Sequence, residues 1–112
     1  MNVREKSAVL GDMLELGAQE ESLHRELSAK IMSLALDRVF LYGDRMRWLA
    51  DELRKRGFRG SVEHFGDHAA LARELVSHFR LGDALLIKGS RGMRMEEVWK
   101  ILEPKLLEMG TA

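Results

Sequence analysis

Four short runs of β-forming residues alternate with four amphipathic helical patterns, and this alternation limits the possible folds more than any other feature of the chain. The strands are expected at residues 7–10, 38–42, 61–65 and 84–87, and the helices at 19–36, 44–56, 67–79 and after 93. Such alternation is typical of a parallel sheet with right-handed crossovers. We therefore predict an α/β, Rossmann-like three-layer domain, with a mainly parallel sheet of about four strands and helices on both faces.

The patterns also predict which side chains are buried. The first helix carries an apolar stripe at helical spacing, formed by Leu23, Leu27, Ile31 and Leu34. His24 lies off that stripe, so we expect it at the surface, although it is close enough to the helix start to face the preceding loop. Asp44 and Asp67 are expected to cap the second and third helices. The last strand is a continuous apolar run, which is typical of a strand buried on both faces.

Composition excludes several classes of function. The 112 residues carry 18 basic and 18 acidic side chains, so the net charge is zero and binding to nucleic acid or membrane through bulk charge is not indicated. There is no cysteine, which excludes disulfides, thiolate catalysis and cysteine-ligated metals. No apolar stretch resembles a signal peptide or a membrane span. We therefore expect a cytoplasmic location.

The loop after the last predicted strand is polar, cationic and rich in glycine. It comprises Lys88, Gly89, Ser90, Arg91 and Gly92, and a helical pattern follows it. A strand, a cationic glycine loop and a helix start together present N–H groups and positive charge to an anion. The alternative is a tight connection whose glycines only satisfy turn geometry.

The loop after the first strand is the other candidate. Asp12 follows this strand directly, at the edge where ligand groups gather in open α/β sheets. Asp12 and Glu15 could also serve only in turn formation and capping. If the strand order is Rossmann-like, the first and last strands are neighbours, and loops 11–17 and 88–92 face each other across one crevice. This crevice is the predicted site.

Other motifs are missing. The chain has no G-x-G-x-x-G dinucleotide fingerprint and no Walker A sequence, so no nucleotide-phosphate loop is predicted. His64 and His68 are separated by a strand end and a turn, which argues against a helical histidine pair for metal. No catalytic triad or carboxylate pair is recognisable. The residues thus predict a ligand-binding crevice without its own catalytic machinery.

Two sequence blocks resemble the C-terminal domain of the Mur ligases. They read AVLGDMLELG at 8–17, followed by Leu23 and His24, and GDALLIKGSRGMRMEEV at 82–98. The second block is most similar to the family member that adds D-alanyl-D-alanine. The member that adds a diamino acid has a different loop, G-K-G-H-E.

The resemblance implies a three-domain, ATP-dependent ligase of peptidoglycan precursor synthesis. The N-terminal domain would hold the UDP-sugar, and the central domain would hold ATP and Mg²⁺ through a P-loop. The C-terminal domain would bring in D-alanyl-D-alanine, whose amine attacks an acyl phosphate formed on UDP-N-acetylmuramoyl-tripeptide. By analogy, Lys88, Gly89, Ser90, Arg91 and Gly92 would hold the dipeptide carboxylate. Asp12, Glu15 and His24 would lie on the cleft side, and no catalytic residue or metal ligand is expected within this chain, which alone should be inactive.

The chain also departs from the family pattern. The family's C-terminal domain usually begins with a further strand and helix, including an Asn-Ala-Asn-Pro-like loop, which nothing before Ser7 can supply. We therefore expect residues 1–112 to form a single domain that lacks this unit and the two other domains. A bare sheet edge or face would then favour self-association.

Two alternatives stay open. A receiver-like signalling domain would also have strand-end acids and a strand-end lysine, as Asp12 and Lys88 are here. It would need a phosphate-accepting acid at the end of a strand, whereas Asp67 follows a turn. The other alternative is a non-catalytic Rossmann-like binding or oligomerisation module.

Overall fold

A four-stranded parallel sheet with helices on both faces forms the domain, as predicted. The computed structural model describes residues 4–80, 83–89, 93–95, 97 and 100. The strands are β1 (Lys6–Gly11), β2 (Arg38–Tyr42), β3 (Ser61–Phe65) and β4 (Ala84–Lys88). The helices are α1 (Glu20–Ser33), α2 (Met46–Lys55) and α3 (His68–His78), and a short 3₁₀ turn (Gly17–Gln19) precedes α1. Most of the helix expected after Met93 lies outside the described residues.

The strand order is β3-β2-β1-β4, so the first and last strands are neighbours. Gly11 pairs with Tyr42 of β2, and Leu10 pairs with Lys88 of β4, all in parallel register. The chain first steps across the sheet from β1 to β3 and then crosses back to β4. The carboxyl ends of β1 and β4 therefore form the topological switch point, which is the position predicted for the site.

Side chains of β1 and β2 alternate between two apolar layers, as the period of a strand requires. Val9 and Phe40 pack towards α3, while Val39 and Leu41 pack towards α1 and α2. The apolar side chains on the inner face of α2 are all buried, namely Met46, Leu49, Ala50 and Leu53. Among the described residues, no helix has the length and apolar character needed to cross a membrane.

The prediction that β4 is buried on both faces is wrong. Leu85 and Ile87 pack into the α3 layer, but Leu86 on the other face is 44% exposed. No strand among the described residues pairs with the outer edge of β4, and α1 lies to one side of it. Leu86 thus lines an open apolar groove of about 420 Å³. We call this the β4 groove; its lining includes Ala8, Leu10, Leu27, Ile31, Leu34 and Leu36.

Helix α1 confirms only part of its predicted apolar stripe, since Ile31 is buried and Leu27 packs against the core. Its buried residues are His24, Ser28 and Ile31, whereas Leu34 is 42% exposed. The stripe prediction assumed that α1 packs on the sheet alone. In the structure α1 also packs against α2, so its inner face is rotated towards α2. The Ser28 hydroxyl is satisfied there because it donates to the Arg25 carbonyl at 2.7 Å.

Of the two predicted helix caps, the one at Asp67 is confirmed and the one at Asp44 is wrong. Asp67 caps α3, and its Oδ1 accepts from the Ala69 N–H at 3.1 Å. Asp44 does not cap α2, because Arg45 occupies the N-cap position and the Asp44 side chain is 92% exposed. The carboxylate that binds the first N–H groups of α2 comes from Asp12 instead.

An ion pair between Arg4 and Asp83 links the residue before β4 to the segment before β1. The Arg4 guanidinium donates to Asp83 at 2.7 and 2.9 Å, and the Arg80 N–H donates to the same carboxylate at 2.8 Å. Burial opposes ionisation of Asp83, but the bonds from Arg4 and Arg80 outweigh it and hold the pKa of this carboxyl below its ordinary value. The ionised form is therefore favoured by folding.

We predict that Asp83→Asn lowers the free energy of unfolding by about 1–2 kcal/mol at neutral pH, because a charged hydrogen-bond network is lost. A depressed folded pKa contributes stability above the unfolded value, about 3.9, and loses it as the pH falls through the folded value. The deficit of the variant should thus be complete above about pH 5 and vanish in stronger acid. Urea unfolding across this range measures it.

Asp44→Asn is the matched control, because Asp44 is exposed and, within the part of the chain that the structure describes, its carboxylate contacts only Arg47, at 3.8 Å. Its stability should stay within about 0.5 kcal/mol of wild type. An Asp83→Asn deficit that persists unchanged in acid would contradict the assignment.

Candidate functional site

The carboxyl ends of β1 and β4 meet at two glycines. A Cβ placed on Gly89 would lie 3.2 Å from the Gly11 Cα and 2.7 Å from the Met95 Cγ. A Cβ on Gly11 would lie 2.8 Å from the Met95 Sδ. A Cβ at Gly89 would crowd the Gly11 backbone, and a Cβ at Gly11 would require the Met95 side chain to shift. The described parts of the two predicted loops lie together, while Ser90, Arg91 and Gly92 fall outside the described residues.

Asp12 is buried directly behind this junction. Its side chain accepts hydrogen bonds from the Arg45 N–H at 3.1 Å and the Met46 N–H at 2.9 Å. The Arg45 Nη1 lies 3.5 Å from the same carboxylate. This is the geometry of a helix N-cap supplied by a distant strand. Of the two predicted functions of Asp12, capping is observed, and a direct contact with substrate stays a prediction.

Gly43 allows this cap to form. Its φ is +109°, a backbone conformation that L side chains rarely adopt. A Cβ at Gly43 would lie 2.5 Å from the Asp12 Cγ. The turn after β2 can therefore approach the Asp12 carboxylate only with glycine at this position.

His24 is wholly buried, so its predicted surface position is wrong. Its Nε2 accepts from the Met13 N–H at 3.0 Å, which places the proton on Nδ1. Nδ1 donates to the Glu20 carbonyl at 2.6 Å, and the ring meets Trp48 edge-on at 5.9 Å between centroids. His24 thus looks back at the first loop, as its place near the helix start allowed. A direct contact with substrate stays a prediction.

Arg45 completes a set of hydrogen-bonded polar groups beside loop 11–17. Its Nε donates to Glu20 Oε2 at 2.7 Å, and this hydrogen bond is the main reason why the pKa of Arg45 is raised. Glu20 in turn accepts from His24 through its carbonyl. We use "polar circuit" for Asp12, Met13, Glu20, His24 and Arg45. The sequence gives no local signal for Arg45, because its partners are distant along the chain.

Glu15 lies at the outer tip of the same loop. It is exposed and has a φ of +63°, an uncommon conformation for a residue other than glycine. Gly17 follows with a φ of +70°. Holding Glu15 there costs of order 1–3 kcal/mol, so the surrounding contacts must fix the loop. Its exposed carboxylate can face solvent or a ligand.

Lys88 directly precedes Gly89 of the glycine junction. It is exposed, and no described residue forms an ion pair with it. Lys88 and Gly89 line one end of the β4 groove, together with Gly11 and Met13. The groove therefore joins a cationic end to an apolar floor. The sequence did not reveal this groove, since it arises from the uncovered face of β4.

Two of the three described helix N-termini are closed to a nucleotide phosphate. The N-terminus of α2 is occupied by the Asp12 carboxylate, and that of α3 by Asp67. One group of potential metal ligands lies elsewhere, on β3 and α3, and consists of Glu63, Glu74 and His78. His78 Nε2 already contacts Glu74 Oε1 at 2.6 Å.

Comparisons with known proteins give a consistent result. The family model "Mur ligase, glutamate ligase domain" matches residues 2–91. A UDP-N-acetylmuramoyl-tripeptide–D-alanyl-D-alanine ligase from Bacillus subtilis is 40% identical over 97 residues, covering 87% of this chain and 21% of that protein. The Escherichia coli ligase of the same name is 33% identical over 97 residues, covering 85% and 20%.

Solved structures agree with the sequence relatives. MurF ligase from Thermotoga maritima, crystallised with ADP, is 27% identical with a TM-score of 0.74, over 93% of this chain and 23% of that one. MurF from Acinetobacter baumannii has a TM-score of 0.75 at 24% identity, over 89% and 22%, and shows the shared fold. The chain therefore spans about a fifth of the length of these relatives.

We predict that Gly43→Ala lowers the free energy of unfolding by about 3 kcal/mol, because strain at positive φ adds to a clash with the Asp12 cap. Gly57→Ala is the matched control. Gly57 also has a positive φ, +75°, but a Cβ added there would meet no described atom within 4 Å. It should cost only about 1 kcal/mol. Equal losses in chemical denaturation would show that Gly43 has no special relation to Asp12.

Proposed function

This chain belongs to the Mur ligase family, and on that premise we propose that it is the C-terminal domain of an ATP-dependent ligase. The reaction proposed for the whole enzyme is the addition of D-alanyl-D-alanine to UDP-N-acetylmuramoyl-tripeptide in peptidoglycan precursor synthesis. Relatives with that name match most of this chain, which supports the choice of this branch. A cytoplasmic location belongs to the same proposal.

The function proposed for this domain is to bind the incoming dipeptide. The observation that carries it is the position of Lys88 and Gly89 beside Gly11, at the carboxyl ends of two adjacent parallel strands. D-Alanyl-D-alanine has one carboxylate and two methyl groups. An exposed ammonium suits the carboxylate, and the apolar lining of the β4 groove beside it suits the methyls.

In this proposal some of the other site residues lie next to the dipeptide, and others support the loop that faces it. Ser90, Arg91 and Gly92 complete the carboxylate loop that begins at Lys88. Glu15 lies at the exposed tip of the facing loop. Asp12 and His24 support the site indirectly, because the hydrogen bonds of the polar circuit hold loop 11–17 in place.

The described residues offer little support for the binding of ATP and Mg²⁺ by this domain. The helix N-termini of α2 and α3 are closed by carboxylates, and the sequence has no Walker A loop. We therefore propose that other domains hold both, and we assign no chemical step to this chain. The domain alone should have no ligase activity, and a non-catalytic module is disfavoured by its family membership.

Self-association of the isolated chain is a separate part of the proposal. The unpaired outer edge of β4, among the described residues, and the half-exposed Leu86 beside it support it. In a full-length ligase the same surface would be available to additional strands or helices. Sedimentation measurements over a range of concentrations test the isolated chain.

We predict that D-alanyl-D-alanine, titrated into the isotope-labelled chain, shifts the NMR signals of Gly11, Met13, Lys88 and Gly89 first. Lys88→Met should weaken binding about tenfold, because it removes a charge-assisted contact to the carboxylate. Lys30→Met is the matched control. Lys30 also lines the β4 groove, but near the end of α1 that points away from the glycine junction. It should leave the affinity unchanged.

L-Alanyl-L-alanine provides a stereochemical control for the same titration. Shifts confined to β3 or to the amino ends of the strands would contradict the proposed site. Equal effects of the two lysine substitutions would indicate a general charge effect rather than a carboxylate contact.

A further inference from the structure

Two methionines beyond β4 cover the glycine junction. Met95 is 6% exposed and packs against both Gly11 and Gly89, and the Met93 Cβ would lie 3.3 Å from a Cβ on Gly11. Both also belong to the apolar layer beneath α3. The backbone at Gly89 is therefore held in place partly by residues that follow it in the chain.

His68 of α3 contacts the segment that contains Met93 and Met95. It is the first residue of α3, and its Nε2 lies 2.8 Å from the Met93 carbonyl oxygen. A carbonyl can only accept, so Nε2 carries the proton. The ring also stacks on Tyr42, with 4.3 Å between centroids and 24° between planes. Tyr42 ends β2, so the imidazole carried by α3 is also held against the sheet.

We propose that His68 is a positioning residue for the anion site at Lys88 and Gly89. By fixing the Met93 carbonyl, it sets where Met95 lies on Gly11 and Gly89. The inference rests on the proposed function, because it assumes that this junction binds the dipeptide carboxylate. It assigns a function to a histidine whose sequence context suggested only a rejected metal pair.

The alternative is that His68 only stabilises the start of α3. Capping of α3 is already supplied by Asp67, which bonds the Ala69 N–H independently of the imidazole. Stacking on Tyr42 would contribute to stability with any flat ring. The bond to Met93 is the one contact of these three that reaches towards the glycine junction, so it can be tested separately.

His68→Phe keeps a flat ring against Tyr42 and removes the donor. We expect the dissociation constant for D-alanyl-D-alanine, measured by NMR titration, to rise about five- to tenfold. His68→Gln retains an amide N–H at a similar reach and should recover at least half of this loss on a logarithmic scale. His78→Phe is the matched control on the same helix, since His78 bonds Glu74 near the far end of α3.

The outcomes separate this inference from the proposed function. Wild-type chain that fails to bind the dipeptide at the junction would overturn the proposed function. Binding by wild type and by His68→Phe with equal affinity would overturn the inference alone. The inference would also be overturned if His68→Phe and His68→Gln lost equal affinity for the dipeptide and this loss paralleled a loss of thermal stability.

A measurement without ligand gives a second readout. The methyl signals of Met93 and Met95 and the amide of Gly89 should shift in His68→Phe, and Gln should restore them. They should stay unchanged in His78→Phe. Unchanged signals in ligand-free His68→Phe would show that His68 does not position the junction.

Discussion

The buried carboxylate of Asp12 is the constraint on which the rest of this structure depends. It belongs to the residue that directly follows β1, yet it binds the first N–H groups of a helix more than thirty residues later. Buried charge is costly unless it is paired and hydrogen-bonded, so the start of α2 must be where it is. Gly43 must leave room for the carboxylate, and Arg45 must turn towards Glu20. One side chain thus couples the central strand, the turn after β2 and both helices of one face.

The strands and the topology could be predicted from the sequence because both follow from local patterns. Runs such as 38–42 and 61–65 match the observed strands, and alternation with helices requires a parallel sheet. Faces were harder to predict. Leu34 was expected to be buried and His24 exposed, since periodicity describes a helix against one flat partner. With α2 as a second partner, α1 is rotated, and a polar side chain can face inwards if its hydrogen bonds are satisfied.

That the chain after β1 and the chain after β4 come together could be predicted as well, because neighbouring parallel strands end at the same edge of the sheet. What each residue does there could not. A sequence shows that Asp12 is a carboxylate but not that its partners are Arg45 and Met46. Likewise His68 and Met93 meet only because α3 and the segment after β4 share one layer. Such partnerships depend on tertiary distances, which no local pattern encodes.

The single-sided pairing of β4 has a mechanical consequence. Among the described strands, β4 and β3 each have one neighbour, and β4 also has one apolar face open to solvent. The strand that ends in Lys88 therefore has hydrogen-bond partners along one edge and close packing on one face. A protein segment packed in the β4 groove would cover the exposed face of this strand. A neighbour packed there would contact the same strand that carries Lys88, and so would bear on the proposed anion site through the strand itself.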